Sequence, residues 1–458
     1  MVVPAIDKLL GISCYATNTS GIGGAIRRSI ADFVVEEVLV DGSQAEIEKK
    51  ADRNVLGASV LKQQPYLLCV LVKRNWDTLV AIKNIASELR VNQAQIDIAG
   101  IKDAKAVSAQ HLTIEHGDMD TVSKLNMRDI ELRAVGYFRD KMSSYYLLGN
   151  SFKIRIKGIT HSKTTVEKQV AKTMSELYEV GGIPNFFGHQ RFGTTRPITH
   201  LVGKAIIKGD FQEAAMLFLA KPSPYEHPAS RDARLELESM HDFKLALQNF
   251  PRQLRFERIM LSHLAEKPDD FIGSFRQLPI KLRTLFVQAY QSYLFNCFLS
   301  KRIESGFPLN AAIEGDYLVN VERTGLPMTM TGRIVGSGNL AAANKLILEG
   351  RAKVAVPMVG LRQRLSQGIM GEIEKHILEI DDIQAENFRI EEMPEITGKG
   401  GLRTAISPVK NFVLEGVSTE FNTAAQQVDL DFLLLRGSYA TMLLREIMKP
   451  HDPIKAGF

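Results

Sequence analysis

A strand-type pattern opens this chain and returns at its end, across a long helix-rich stretch, and that recurrence limits the fold more than any single motif does. In FKIRIKGI (152–159), Phe152, Ile154 and Ile156 alternate with Lys153, Arg155 and Lys157, the period of a half-buried strand. YLLCVLV (66–72) is short and continuously apolar, the mark of a strand buried on both faces. FVVEEV (33–38), IDIAGI (96–101), HLTIE (111–115) and residues 131–138 add further strand signals. Asp77 or Thr78 caps a helix with Leu79, Val80, Ile82, Ile85, Ala86 and Leu89 as its apolar face. A second helix, 164–180, stops at Gly181–Gly182. Helical spacing then dominates at 211–220, 252–266 and 280–304, broken by the turn-rich KPSPYEHPAS (221–230). VDLDFLLL (428–435) restores the strand pattern before a helix over 438–449. The expected fold is α+β, one domain interrupted by an inserted one.

A length of 458 residues allows two or more domains. With 45% hydrophobic and 24% charged residues the chain is neither disordered nor collagen-like. Lys and Arg exceed Asp and Glu by 57 to 52, too small a margin to identify a nucleic-acid binder. The charge is segregated, however: 372–395 is acidic, whereas 139–157 carries Arg139, Lys141, Lys153, Arg155 and Lys157 against Asp140. Cys14, Cys69 and Cys297 form no CxxC pair and no zinc spacing. No apolar run approaches a membrane span, and the N-terminus lacks a basic lead-in to an apolar core. A reduced, soluble, cytoplasmic protein is expected.

The chemistry concentrates in two stretches. GIKDAKAVSAQ (100–110) joins two strands and places Asp103 between Lys102 and Lys105. A carboxylate among cations stays ionised and can serve as nucleophile or base; an ordinary turn aspartate is the alternative. NFFGHQRFG (185–193) sets Asn185, Gln190 and Arg191 among Phe186, Phe187 and Phe192. Aromatic faces beside Arg can stack on a nucleobase, or the phenylalanines can simply be core. Arg27–Arg28 could pair with a phosphate or a carboxylate. His111 and His116 lack metal-ligand phase, there is no GxxxxGK[ST], and GIGGAI (21–26) lacks the last glycine of a dinucleotide fingerprint. Neither a metal nor a nucleotide cofactor is expected.

AGIKDAKAVSAQ (99–110), NFFGHQRFG (185–193), QAYQSYLFN (288–296) and GSYATMLLREI (437–447), in that order and spacing, resemble the tRNA pseudouridine synthase D (TruD) family. ADFVVEE (31–37), GNSFKIRI (149–156) and Gly-Leu-Arg at 401–403 add weaker matches, and the length is that of the archaeal branch. The resemblance implies a pseudouridine-synthase-like catalytic domain with a mixed, largely antiparallel sheet, formed by 1–209 and 408–458, with a large α+β insertion domain at 210–407. It implies an isomerase, without cofactor or metal, that turns uridine into pseudouridine in tRNA, at uridine 13. Asp103 matches the family's catalytic aspartate, a nucleophile, and Arg27 falls where a Lys usually pairs with it. Arg keeps the charge but changes the geometry. Phe187 matches the aromatic that stacks on the flipped base. Asn185, Lys102, Gln110 and Arg191 are the accompanying substrate-binding candidates. Ser108 replaces a more usual Thr, and 139–148 is less basic than the family's run. Arg28, Lys105 and Arg196 join the cations expected along an RNA groove, and the acidic 372–395 stretch is expected to face away from it. No oligomeric state follows, and a monomer suffices. A non-catalytic RNA binder is the first rival reading. A methyltransferase is the second, but its strand followed by a Gly-rich loop is not found.

Overall fold

The computed structural model describes residues 2–48, 55–61, 64–420 and 423–458. The strand signals resolve as β1 (Phe33–Leu39), β2 (Tyr66–Arg74), β3 (Ile96–Ile98), β4 (Val107–Glu115), β5 (Ile130–Phe138) and β6 (Leu147–Ile159). β7 (Ile183–Pro184), β8 (Tyr317–Val321), β9 (Pro327–Ile334), β10 (Ala352–Met358), β11 (Gly401–Thr404) and β12 (Ile406–Ser407) follow. β13 (Val409–Thr419) and β14 (Gln426–Leu435) are the last. The architecture is mixed α+β, as the pattern required.

The principal sheet runs β13-β14-β6-β1-β4-β2-β5, with β3 added at β4. β1 and β4 are parallel; β14 lies antiparallel to β6. Strands from the two ends of the sequence therefore share one sheet. The period-2 pattern explains why they meet. Phe152 on β6 pairs in register with Phe432 on β14, and their rings stack at 5.4 Å between centroids. Ile154 and Ile156 lie buried beside Val428 and Leu430, while Lys153 points outward. Burial on one face fixes this register, because a slip of one residue would turn each apolar side chain to solvent.

The intervening chain builds its own four-stranded sheet, β11-β10-β8-β9, among helices, and β12 pairs with β7 to link it to the 185–193 segment. Helices Phe211–Ala220 and Ile280–Glu304 match the spacing; Arg255–Glu266 starts three residues later than 252–266 implied. The turn-rich 221–230 stretch already contains the start of the helix Pro228–Met240, with Pro228 in its first turn. The final helix is Ala440–Met448, shorter than 438–449, because Ser438 and Tyr439 stay extended or turned ahead of it.

The helix Ile280–Glu304 is buried along much of its length and runs through the main core beside Phe186, Phe187 and Phe192. Asn296 is its polar anchor. Its Nδ2 donates to the carbonyls of Leu10 and Phe187, at 2.9 and 3.1 Å, and its Oδ1 accepts from Phe187 N–H at 2.9 Å. One buried amide thus fixes the backbone of the 185–193 segment, the kind of saturated polar contact a core tolerates.

Candidate active site

The turn between β3 and β4 presents Asp103, and four polar contacts hold its backbone. Gln110 Nε2 donates to Gly100 O at 3.0 Å. The Thr78 hydroxyl donates to Lys102 O at 3.0 Å and accepts from Lys102 N–H at 3.1 Å. Lys73, fully buried on β2, donates from Nζ to Asp103 O and to Trp76 O, both at 2.7 Å. Burial pushes the Lys73 ammonium down to about 8, with Lys102 adding to the fall and Asp103 and Asp77 opposing it. The Lys102 side chain turns inward, where Nζ meets Glu37 Oε1 at 2.6 Å. The second Glu37 oxygen accepts from His111 N–H at 2.8 Å. Burial alone would raise Glu37, but Lys102 and His111 outweigh it and hold the carboxylate below its ordinary range.

The Asp103 carboxylate, about one-third exposed (34%), is bound at both oxygens. Arg27 Nη2 lies 2.9 Å from Oδ2, and Gln190 Nε2 donates to Oδ1 at 3.0 Å. Arg27 is anchored independently: its Nη1 donates to Gly457 O at 2.8 Å, and its guanidinium sits 4.0 Å above the Phe33 ring. Its φ of 58° is left-handed, uncommon for a side-chain-bearing residue. Strain of that kind persists only where surrounding contacts enforce it, here the carboxylate on one side and the 457 carbonyl on the other.

A cavity of about 150 Å³ opens beside this carboxylate, walled by Phe33, Phe152 and Tyr439 and by Arg27, Asn150, Gln190 and Thr441. A void of that size accepts a six-membered ring. Gly188 allows the wall to close up, since a Cβ there would stand 2.9 Å from Thr441 Oγ1 and 3.1 Å from the Tyr439 ring.

Of the other sequence candidates, Lys102 lines this cavity, whereas Gln110, Asn185, Phe187 and Arg191 lie off its wall. Phe186, Phe187 and Phe192 are all in the core. Phe187 meets Phe295 and Tyr439 edge-on, and the Arg403 guanidinium lies 4.1 Å from its ring centroid. Asn185 Oδ1 accepts from Arg403 Nη2 at 2.6 Å, and Asn185 Nδ2 donates to Thr404 Oγ1. Desolvation brings Arg403 down to about 10, with Arg191 adding to the fall and Tyr439 opposing it. Arg191 donates to Ser292 and Gln288 on the long helix. His189 meets Asp7 at 2.8 Å, and Asp7 accepts from Arg445 Nε at 2.6 Å, which ties the short 189–191 turn to the final helix.

Several expected RNA cations already have protein partners. Arg155 faces Asp429, Lys157 faces Asp32, and Arg196 donates to the carbonyls of Phe218 and Lys221. Arg28, Lys105, Arg139, Lys141 and Lys153 are exposed. The acidic stretch is not uniformly solvated either: Glu374 is buried, with Ser366 donating to both its oxygens, and Asp381 pairs with Lys204 and Tyr290.

Lys73, Gln190, Asn150, Tyr439, Thr441 and Arg403 are the groups that sequence reasoning did not assign to the site. All but Lys73 lie inside the stretches that carry the family resemblance. Lys73 binds only main-chain oxygens, which leave no trace in side-chain spacing.

The family model described as tRNA pseudouridine synthase D (TruD) matches residues 9–447. A probable tRNA pseudouridine synthase D of Methanosarcina mazei is 39% identical over 449 residues, covering 98% of both chains. One of Pyrococcus abyssi is 35% identical, covering 95% of this chain and 98% of its own. A crystal structure of a putative TruD from Methanosarcina mazei superposes with a TM-score of 0.83 at 38% identity, covering 99% of this chain and 100% of that one. Among the described residues no helix is long and apolar enough to cross a membrane, and no cluster of His, Cys, Asp and Glu could hold a metal ion. With sequence, fold and motif order agreeing over the whole length, the chain belongs to the tRNA pseudouridine synthase D (TruD) family of isomerases.

Proposed function

We propose that this chain converts uridine 13 of tRNA to pseudouridine, with Asp103 as the catalytic nucleophile. One observation carries the reading: a carboxylate fixed at both oxygens beside a ring-sized cavity with aromatic walls. The reaction breaks the bond from uracil N1 to ribose C1′ and joins C1′ to C5. The C5 proton is then lost and N1 gains one, so no atom is added or removed. Such an isomerisation calls for an ionised carboxylate, a dry pocket and a way to hold the detached base. Arg27 supplies the opposite charge, 2.9 Å from Asp103 Oδ2.

The target base must leave its stack to reach Asp103. Phe187, matched by the resemblance to the stacking aromatic, is buried off the cavity against Phe295 and Arg403, so the rings that wall the cavity, Phe33, Phe152 and Tyr439, are the proposed platform. Lys102, Gln110 and Arg191 serve the substrate indirectly, by holding the catalytic turn and the 185–193 segment. The insertion at 210–407 and the sheet bearing Asp103 would form the two walls of a tRNA groove, with Arg28, Lys105, Arg139 and Lys141 on phosphates.

The test is to incubate the protein with an unmodified tRNA transcript and map pseudouridine by its selective chemical adducts. Conversion at one uridine by wild type, absent in Asp103→Asn while tRNA binding is kept, supports the reading. Asp103→Asn with the wild-type rate refutes it, and binding without conversion by wild type favours a non-catalytic RNA binder.

A further inference from the structure

The segment 449–458 follows the helix Ala440–Met448 and lies after the last of the motifs that carry the family resemblance. Its turns are built locally. Asp452 Oδ1 accepts from the N–H groups of Ile454 and Lys455, and Phe458 N–H donates to Pro453 O at 3.0 Å. Pro453, Ala456 and Phe458 are buried, Phe458 to 2% exposure. A segment anchored in this way can transmit position to its neighbours, and here it touches both arms that hold the Asp103 carboxylate.

On the Arg27 side, Ala456 O accepts from Ile26 N–H at 2.9 Å, and Gly457 O accepts from Arg27 Nη1 at 2.8 Å. The approach is closest at Gly457, where φ is 92° and a Cβ would stand 2.3 Å from Ile26 O. Glycine alone meets both conditions. These contacts secure the left-handed backbone of Arg27 and aim its other nitrogen, Nη2, at Asp103 Oδ2. On the Gln190 side, the Phe458 ring meets the His189 ring edge-on, 5.9 Å between centroids. His189 is buried in the short 189–191 turn, whose next residue, Gln190, donates to Asp103 Oδ1.

We propose that Gly457 and Phe458 are positioning residues for the isomerisation: the Gly457 carbonyl sets Arg27 against one oxygen of Asp103, and the Phe458 ring steadies the turn that sets Gln190 against the other. This rests on the reading of Asp103 as the catalytic carboxylate and deepens it, because it names what decides the orientation of that carboxylate. A carboxylate can turn about its side-chain bonds, and two fixed partners select one orientation. A guanidinium presents its donors in a rigid fork, so one nitrogen held at Gly457 O directs the other. Without that anchor Arg27 can swing, and a displacement of about 1 Å at reacting groups can cost on the order of 100-fold in rate.

The experiment measures single-turnover pseudouridine formation and tRNA affinity at a temperature that thermal melts place below the transition of every variant. Gly457→Ala should lower the rate roughly 10-fold with affinity unchanged, because the added Cβ drives the segment off Ile26. In Arg27→Lys, which lacks the fork, the same change should cost no more than about twofold. Phe458→Ala should lower the rate a few-fold in wild type and by no further factor in Gln190→Ala. Deleting 453–458 should combine both losses. A segment that only adds stability would lower the melting temperatures and leave the rate of the folded enzyme alone; that result overturns the proposal, as do losses that multiply in full across either pair. Should the deletion not fold, the two point variants decide the matter. Asp103→Asn runs alongside: full activity in it removes the catalytic reading, whereas an inactive Asp103→Asn with Gly457→Ala and Phe458→Ala at the wild-type rate removes the positioning role alone.

Discussion

Lys73 gives the Asp103 turn a dependence on pH that can be worked out from its contacts. The ammonium has three N–H donors and meets three main-chain oxygens: Trp76 O and Asp103 O at 2.7 Å, and Lys102 O at 3.5 Å. Burial brings it down to about 8, against the pull of Asp103 and Asp77 and with the push of Lys102. At pH 7 about nine-tenths of it is charged and at pH 9 about one-tenth. A neutral amine has two N–H groups and a lone pair, so one carbonyl then faces the lone pair and the turn loses a restraint directly behind Asp103. Misplacement by about 1 Å can cost on the order of 100-fold in rate. The single-turnover rate should therefore follow the charged fraction and fall about tenfold between pH 7 and pH 9.

Stability moves the other way. The folded value of about 8 lies below the 10.5 of a free lysine, so between those two pH values the unfolded chain holds a proton that the native chain has released. This group's contribution to stability thus rises with pH across that window, and the cost of burying it charged, about 3 kcal/mol below pH 8, is relieved. Rate and stability should diverge, which a simple alkaline denaturation would not produce. The assay is pseudouridine formation under single turnover from pH 6 to 10, paired with thermal melts. Lys73→Arg, charged throughout, should flatten the rate profile and so separate the lysine from any titration of the RNA. Lys73→Met should lose about 10- to 100-fold in rate at pH 7 with tRNA affinity intact. A Lys73→Met enzyme at the wild-type rate would refute the argument.

Three further outcomes follow from the same coordinates. Arg27→Lys retains a charge for Asp103 but cannot also reach Gly457 O in the same fork, so it should cost a few-fold in rate and Arg27→Ala about 100-fold, read as kcat with KM for tRNA little changed. Asp7→Ala leaves the buried Arg445 without the partner that also holds His189, and should destabilise by about 3–5 kcal/mol in denaturant melts. Glu374 is raised to about 8 by burial despite its two bonds from Ser366; the native chain then holds a proton that the unfolded chain loses above about pH 4.5, stability falls from there to pH 8, and Glu374→Gln should raise the melting temperature at pH 8 but not at pH 5.

The principal sheet was legible because its strands carry a clean period of two or unbroken apolar runs, as in 152–159 and 66–72. The second sheet was not. β9 is largely exposed on both faces, with Met330 95% exposed, so no alternation marks it. Within the principal sheet β13 is the exception: it pairs with β14 through two register breaks, which scramble its own pattern. The helix Pro228–Met240 was hidden by the proline and serine ahead of it, although a proline at the first helical position is itself a start signal. At the site, Asp103 and Arg27 could be named from the motifs, and the structure sets them 2.9 Å apart. Asn150 and Thr441 stood in quoted motifs but gave no sign of facing a cavity, which exists only once its walls are placed.

The Asp103 carboxylate also shows why the motifs lie so far apart in the chain. Arg27 holds one oxygen and Gln190 the other, while Lys73 holds the main chain behind it. Each of these depends on a further segment: Arg27 on the carbonyl of Gly457, the turn of Gln190 on Asp7 and Arg445, and Lys73 on the junction at Trp76. Within the turn, the only carboxylate contacts available to Asp103 would be with Lys102 and Lys105, and Lys102 is committed to Glu37. The geometry of the site is therefore a property of the assembled sheet and both chain ends, not of the Lys-Asp turn. A peptide carrying residues 99–110 alone would keep the aspartate and the Gln110–Gly100 contact but lose Arg27, Gln190, Lys73 and Thr78, the contacts that make Asp103 more than a solvated turn aspartate.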